Sequence, residues 1–206
     1  MNNKVVNLHG GPRYDHVTFL LCNPRSRSAW LHAVMSLCMP ALPHDILRRC
    51  SSVSDLVCEV NRVRDRYENP RPLFVADTSA ILLYERIRDA LPGANFMFVY
   101  RPPGDVDRSL RALNLRPVYE PAKIATKMLR GYQELRRTYT PPLWFTFDNL
   151  SDYETHIMMC ERMGGMPMTR TMFERMVAQN IQADLDLYQR QTNPFRALQL
   201  ASEFQL

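Results

Sequence analysis

Four short apolar runs divide the chain, and each is followed by a polar or proline-containing segment. Their apolar residues are continuous rather than alternating, which is the pattern of strands that are covered on both faces. The runs are Val17–Cys22, Leu73–Ala76, Asn95–Tyr100 and 143–147. Each predicts a buried β-strand.

Helical patterns, with apolar residues spaced three or four apart, fill the segments between and after these runs. They predict helices over 28–39, 56–67, 80–90, 105–113, 121–137, 151–163 and 171–188. Ser151 is the expected N-cap of the sixth helix, and Gly164 and Gly165 are its expected end. The alternation of strands and helices predicts an α/β fold with a central parallel sheet covered by helices on both faces, a three-layer sandwich.

Length and composition are those of one globular domain over residues 1–206, with 1–15 and 192–206 as peripheral tails. The net charge of +5 is modest; it suits a small polyanionic ligand, and we do not expect a nucleic-acid partner. The five cysteines include no C-x-x-C pair and no Cys/His spacing typical of zinc, so we predict reduced thiols, a cytoplasmic protein and no bound metal. No apolar run approaches the ~20 residues of a membrane span, and residues 1–11 lack the apolar core of a signal peptide.

The first strand leads directly into the segment Asn23-Pro24-Arg25-Ser26-Arg27-Ser28-Ala29-Trp30. Free backbone N–H groups at a helix N-terminus attract anions, and Arg25 adds a guanidinium with two parallel donors. The glycines and lysine of a Walker A loop are missing, which disfavours an ordinary ATP- or GTP-hydrolysing protein. The segment therefore predicts an anion site, and a plain strand–helix turn with solvated arginines is the alternative.

A second basic position follows the third strand. Arg101 stands at the end of that strand, and Ser109 comes eight residues later in the following helix. Because parallel strands end at one sheet edge, both side chains can face an anion there. The alternative is that Arg101 pairs with Asp105 as a strut of the loop.

Together these segments resemble the sulfotransferase family, over residues 17–165. The first is similar to the family's 5′-phosphosulfate loop, P-[KR]-S-G-[ST]-x-W-L, and matches it at Pro24, Arg25, Ser26, Ser28, Trp30 and Leu31. The second resembles its 3′-phosphate site, an arginine at a strand end with a serine eight residues later. The segment 147–150, Phe-Asp-Asn-Leu, resembles the family's later y-E-D-L element.

The resemblance implies a fold related to nucleotide kinases and a donor, 3′-phosphoadenosine-5′-phosphosulfate (PAPS), whose sulfuryl group passes in line to a hydroxyl or amine without a metal. Arg101 and Ser109 would hold the 3′-phosphate, and Arg25 would neutralise charge on the bridging oxygen. Trp30 would either stack on the adenine or pack in the core. The residues implied around the 5′ group are Arg25, Ser26, Arg27, Ser28, Ala29 and Trp30.

Two positions depart from the family pattern. Arg27 replaces the loop glycine, which is costly if the loop requires a positive φ at that residue. Asp77 and its neighbours follow the second strand, where cytosolic members carry a histidine. The pair His44-Asp45 resembles a His-Glu pair that follows the first helix in bacterial and phage-type relatives, so the catalytic base is His44, Asp45 or Asp77.

The sequence thus predicts a cytoplasmic, PAPS-dependent sulfotransferase that acts on a small or lipid-like acceptor. A non-catalytic nucleotide-binding interaction module on the same fold is the alternative. A small kinase-like phosphotransferase is disfavoured by the missing Walker motif, and nucleic-acid binding would rest on charge alone. The sequence identifies neither the acceptor nor the oligomeric state.

Overall fold

The computed structural model describes residues 16–66, 71–115, 120–137 and 142–178. The predicted tails 1–15 and 192–206 lie outside these ranges. Four strands form one sheet: β1 (Val17–Cys22), β2 (Leu73–Ala76), β3 (Asn95–Tyr100) and β4 (Leu143–Thr146). The sheet is entirely parallel and has the order β2-β1-β3-β4, so the predicted parallel sheet is confirmed.

Helices cover both faces of the sheet, because residues along each strand alternate between the two faces. Phe19 and Leu21 pack with α2 (Val53–Arg64), α3 (Tyr84–Ala90) and α5 (Pro121–Leu135). Leu20 and Cys22 pack with α1 (Ser28–Ser36), α6 (Tyr153–Met163) and α7 (Arg170–Ala178) on the other face. The three-layer α/β sandwich is therefore confirmed. None of the described helices combines the length and apolar character that crossing a bilayer requires. Helix α4 (Pro103–Arg111) lies between β3 and α5 in the chain.

Element ends differ from prediction where local hydrogen bonds decide them. The N-cap of α6 is Asp152 and not Ser151, because the Asp152 carboxylate accepts the Thr155 N–H at 3.1 Å. Gly164 ends α6 in the left-handed region, φ 76°, as predicted. The predicted helix over 80–90 is two elements, a 3₁₀ turn at Ala80–Leu82 and then α3.

The segment 40–45 runs along the outer edge of β2. The Leu42 N–H donates to the Phe74 carbonyl oxygen at 3.0 Å, and the Phe74 N–H donates to Pro40 at 2.9 Å. The Asp45 N–H then donates to the carbonyl oxygen of Ala76, the last residue of β2, at 3.0 Å. These bonds bring residues 44 and 45 to the carboxyl edge of the sheet, where β2 ends.

Replacing Leu42 with alanine tests how firmly this segment is held. Leu42 is fully buried, whereas Leu37, just beyond α1, is 59% exposed. We expect Leu42→Ala to lower the free energy of unfolding by about 2–5 kcal/mol, since it leaves a cavity in the core. Urea denaturation measures the loss, and Leu37→Ala is the matched control, expected to change stability by less than about 0.5 kcal/mol. Equal losses in the two variants would contradict this packing.

Candidate functional site

The loops that follow the four strands meet at the carboxyl edge of the sheet. This edge is where open parallel sheets bind ligands. The loop between β1 and α1, residues 23–27, lies at its centre because β1 lies between β2 and β3. The residues predicted from sequence as a nucleotide site all follow β1 or β3, the two central strands.

The loop between β1 and α1 has an unusual backbone. Arg25 (φ 65°) and Arg27 (φ 61°) both occupy the left-handed region that favours glycine. Each such residue costs roughly 1–2 kcal/mol relative to the right-handed region. The loop therefore does require a positive φ where the family pattern has glycine, and Arg27 adopts it. Strained backbone of this kind concentrates at functional sites.

Contacts of the Arg27 side chain offset this cost. Its guanidinium lies over the Phe147 ring, with 4.8 Å from Cζ to the ring centroid, and Nη1 donates to the Ser151 hydroxyl. The Trp30 ring lies 5.6 Å from the same Cζ. The side chain of Arg27 thus points away from the loop and contacts the residues that follow β4.

Three guanidinium groups converge at this edge. Arg101 places its Cζ 4.2 Å from the centroid of the Phe147 ring that Arg27 also contacts. Its Nη1 donates to the Arg25 carbonyl oxygen. Nε of Arg25 in turn donates to the Ser109 hydroxyl at 3.2 Å. The two segments that the sequence singled out, 23–30 and 101–109, are therefore in direct contact.

The cluster concentrates positive charge. Burial lowers the pKa of Arg101, and the neighbouring charges of Arg25 and Arg27 lower it further, against the opposing effect of Asp105 and Asp148. The sequence left open a strut between Arg101 and Asp105. Asp105 instead forms its ion pair with Arg108, at 3.1 Å. A dianionic ligand would relieve the repulsion among the arginines.

Buried polar atoms beside the arginines lack partners. Ser26 is fully buried, and within the described residues its hydroxyl has no hydrogen-bond partner. The same holds for the side-chain oxygen of Asn23. A buried polar group left unsatisfied costs about 1–3 kcal/mol. A phosphate-type oxygen at the loop would accept a hydrogen bond from the Ser26 hydroxyl, whereas the Asn23 oxygen would need a donor such as water.

Two predicted contact residues lie on α1. Trp30 is 3% exposed, packs edge-on against Phe173, and donates from Nε1 to the Met176 carbonyl oxygen at 2.7 Å. Of the two possibilities left open for Trp30, the structure shows core packing. Ala29 is half-buried in the first turn of α1. That turn also contains Ser28, which is 6% exposed.

His44 reaches the same turn from the other side. Its Nε2 lies 3.2 Å from the Ser28 hydroxyl, and its Nδ1 lies 3.4 Å from the Asp45 carboxylate. Burial lowers the pKa of His44 below its ordinary value of 6.5; His32 and Arg48 add to this decrease, and Asp45 opposes it. The imidazole is therefore neutral at pH 7. The hydroxyl, imidazole and carboxylate are therefore neighbours, although the Asp45 oxygen nearest Nδ1 makes no hydrogen bond to the described residues.

Asp45 and Asp77 form a buried acidic pair near His44. Asp45 also lies 3.3 Å from Nη2 of Arg48. The Asp77 carboxylate accepts the backbone N–H groups of Leu47 and Ser79, each at 2.7 Å. Burial, followed by the charge of Asp45, raises the pKa of Asp77 to about 7. Asp77 thus ties the segment after residue 45 to the end of β2.

Three participants were missed from sequence. Phe147 is the ring between Arg27 and Arg101, Ser151 accepts from Arg27, and Arg48 pairs with Asp45. Phe147 begins the Phe-Asp-Asn-Leu element, whose resemblance gave its ring no role, and Ser151 follows that element and was predicted only as a helix cap. Arg48 gave no signal, since a lone arginine in a loop is most often solvated.

Comparison with solved structures relates the fold to that of sulfotransferases. Mouse sulfotransferase SULT7A1 complexed with PAP superposes with a TM-score of 0.54 over 85% of this chain and 68% of that one, at 11% sequence identity. A gluconokinase from Sinorhizobium meliloti 1021 covers 87% of this chain and 99% of its own at 14% identity, but its TM-score of 0.37 is too low to establish a common fold. No family profile and no curated protein sequence matches the chain. The chain therefore has a sulfotransferase-like fold.

The acidic pair predicts a pH-dependent stability. Because the folded-state pKa of Asp77 is about 7 and the unfolded value is 3.8, its contribution is fully present below pH 3.8 and is lost as the pH rises through 7. Asp77→Asn removes this titration. The free energy of unfolding of the wild type, relative to that of Asp77→Asn, should fall between pH 4 and 7 by up to about 1.4 kcal/mol per pH unit.

Urea denaturation of both proteins at several pH values measures the difference. Asp89→Asn is the matched control, since the Asp89 side chain is 68% exposed and pairs only with Arg88 among the described residues. Parallel stability curves for the wild type and Asp77→Asn would show that Asp77 is ionised throughout this range.

Proposed function

We propose that the protein is a sulfotransferase that uses PAPS as donor. The observation that supports this most is the contact between the two predicted anion-binding segments, where Arg25 Nε lies 3.2 Å from the Ser109 hydroxyl although 84 positions separate them. One ligand with phosphate-type groups on the 3′ and the 5′ positions of its ribose, as PAPS has, would contact both segments. Both segments lie at the carboxyl edge of a parallel sheet, which is where open parallel sheets bind ligands, and this supports the proposal.

In this proposal the loop between β1 and α1 binds the 5′-phosphosulfate. Arg25 and the Ser26 hydroxyl donate to its oxygens, and the amides of Ser28 and Ala29 face it from the N-terminus of α1. Arg101 and Ser109 bind the 3′-phosphate. Arg27 contributes charge from the side, while Trp30 supports α1 from the core.

The transfer itself requires charge stabilisation and a base. The bond between sulfur and the bridging oxygen breaks, a bond from sulfur to the acceptor oxygen or nitrogen forms, and the acceptor gives up its proton. Arg25 stabilises the charge that develops on the bridging oxygen; preorganised donors of this kind supply a large part of catalysis. The product that leaves is adenosine 3′,5′-bisphosphate (PAP).

His44 fits the role of base better than Asp45 or Asp77. It is neutral at pH 7, half-buried, and 3.2 Å from a hydroxyl of the turn that faces the transferring group. Asp45 acts through His44, since its carboxylate lies beside Nδ1 and favours the tautomer whose Nε2 accepts a proton. Asp77 is fully buried and already accepts two backbone N–H groups, so it does not reach an acceptor.

The acceptor would be a small or lipid-like molecule with a hydroxyl or amine, and the chain would act in the cytoplasm. A non-catalytic nucleotide-binding module is the second candidate. Arg27 in place of the loop glycine and the absence of a histidine after β2 favour it. The two candidates agree on nucleotide binding and differ in turnover.

Thermal unfolding with adenosine 3′,5′-bisphosphate, the desulfated donor, tests nucleotide binding. At 100 times its Kd the ligand stabilises the folded state by about 2.7 kcal/mol, equivalent to a Tm increase of about 5–10 °C for a chain of this size. We expect this shift with the bisphosphate and not with ATP, and its loss in Arg101→Ala. Arg62→Ala, a variant at the Arg62–Glu59 pair of α2, is the control that keeps the shift. No shift at millimolar bisphosphate would refute both candidates.

Turnover of radiolabelled PAPS with a panel of phenols, alcohols and amines tests catalysis. We expect His44→Gln to lower kcat by about 10²–10⁴-fold while the bisphosphate-induced Tm shift persists. In the wild type, kcat/KM should decline only below pH 6.5, because the pKa of His44 is lowered from that value. A decline centred near pH 7 that survives in His44→Gln would instead implicate Asp77. Binding without turnover of any acceptor would favour the non-catalytic module.

A further inference from the structure

A buried cluster of two thiols and an imidazole lies away from the carboxyl edge of the sheet. Cys38, His156 and Cys160 each offer a metal-ligating atom, and these atoms all lie within 4.8 Å of one another. Cys38 follows α1, whereas His156 and Cys160 are one turn apart on α6. Since α1 has nine residues and is about 14 Å long, the cluster is near the opposite end of α1 from the arginine-rich loop.

The spacing of the three groups fits coordination of one ion. Nε2 of His156 lies 3.9 Å from the sulfur of Cys38 and 3.9 Å from that of Cys160. A zinc ion bound at ~2.3 Å from sulfur and ~2.0–2.1 Å from nitrogen holds those two atoms roughly 3.6–3.8 Å apart at tetrahedral to trigonal angles. Contraction by a few tenths of an ångström would bring the Cys38 sulfur to the required distance from Nε2. The Cys160 sulfur is equally far, 3.9 Å, from Nδ1 and from Nε2, so its side chain would also turn toward Nε2.

The surrounding backbone holds all three residues in place. One loop after α6 donates an N–H to each: Gly165 to the Cys160 carbonyl oxygen at 2.8 Å, Met166 to that of Cys38 at 3.0 Å, and Met168 to His156 Nε2 at 3.2 Å. The Phe173 ring stacks on His156 with the centroids 4.8 Å apart. The first two bonds leave the side chains available. A metal on Nε2 would displace only the third, exchanging one neutral hydrogen bond for three coordinate bonds.

We propose that Cys38, His156 and Cys160 form a structural zinc site that joins the end of α1 to α6. Thiolate and imidazole are preferred zinc ligands. Two thiolates also balance the charge of Zn²⁺, which matters because His156 and Cys160 are fully buried and a net charge there would be costly. Three protein ligands leave one position of a tetrahedral zinc ion to be filled, and a water molecule would supply the fourth ligand.

No step of sulfuryl transfer would use this zinc ion. The zinc proposal is therefore independent of the proposal that the protein is a sulfotransferase. The role of the ion would be to fix the helix that begins at the anion-binding loop. The sequence predicted no metal because only the pair His156 and Cys160 is local, and the third ligand is 118 positions away. Only the packing of α1 against α6 brings the three together.

Titration of the reduced, metal-free protein with Zn²⁺ against a chromogenic chelator tests the proposal. We expect one equivalent to bind, and Co²⁺ in its place to give thiolate-to-cobalt charge-transfer absorption. Cys38→Ser and Cys160→Ser should each weaken binding by at least about 100-fold. Cys58→Ser, at the exposed cysteine of α2, is the matched control and should bind as the wild type does.

Thermal unfolding adds a readout that needs no activity. Zn²⁺ should raise the Tm of the wild type and of Cys58→Ser, and should leave that of His156→Gln unchanged; glutamine keeps an acceptor for the Met168 N–H, which favours folding of this variant. Absence of stoichiometric Zn²⁺ binding by folded, fully reduced wild type would overturn the proposal. So would a Cys38–Cys160 disulfide, detected by intact mass, that forms in air as readily with Zn²⁺ as without it. The bisphosphate-induced shift is measured separately, so failure of one proposal does not affect the other.

Discussion

Parallel pairing of β1 with both β2 and β3 is the constraint on which the rest of the structure depends. Every residue of β1 is buried, so the strand needs cover on both faces, and the helices that cross between parallel strands supply it. The same pairing makes all four strands end at one edge. Residues far apart in sequence therefore meet there, and the loop after β1 lies in the middle.

The energetic costs of the fold are concentrated at this edge. Two arginines in left-handed backbone, a buried hydroxyl without a partner, and three close guanidinium groups all lie between β1, β3 and β4. The two cores on the faces of the sheet are mainly apolar among the described residues, although the buried side-chain oxygen of Asn61 in α2 also lacks a hydrogen-bond partner. This accumulation favours anion binding at the edge, because an anion accepts hydrogen bonds and carries the opposite charge.

The sequence allowed prediction of the strands and layers but not of the contacts between distant residues. Each strand is a mainly apolar run with Pro, Gly or Asp within two residues of its ends, and three of the four have the predicted bounds. β4 ends one residue early because Phe147 already has helical dihedral angles. Helix starts were less predictable: Asp152 displaces Ser151 as a cap because only its side chain is placed to accept the Thr155 N–H. The ring of Phe147 between two arginines, and the meeting of Cys38 with His156, depend on strand order and helix packing, which hydrophobic periodicity does not encode.

Arg27 shows how a departure from a family pattern can be compatible with the same site. A glycine at this position would adopt the left-handed conformation without cost, and any other residue needs compensation. Here the side chain supplies it through Phe147 and Ser151, both contributed by the segment after β4. Arginine in place of glycine thus restricts the backbone of the loop after β1, and its side chain connects that loop to the segment after β4. A loop fixed in this way loses less conformational entropy on binding a ligand, so the contacts of Arg27 weaken the support that its presence gives to the non-catalytic module.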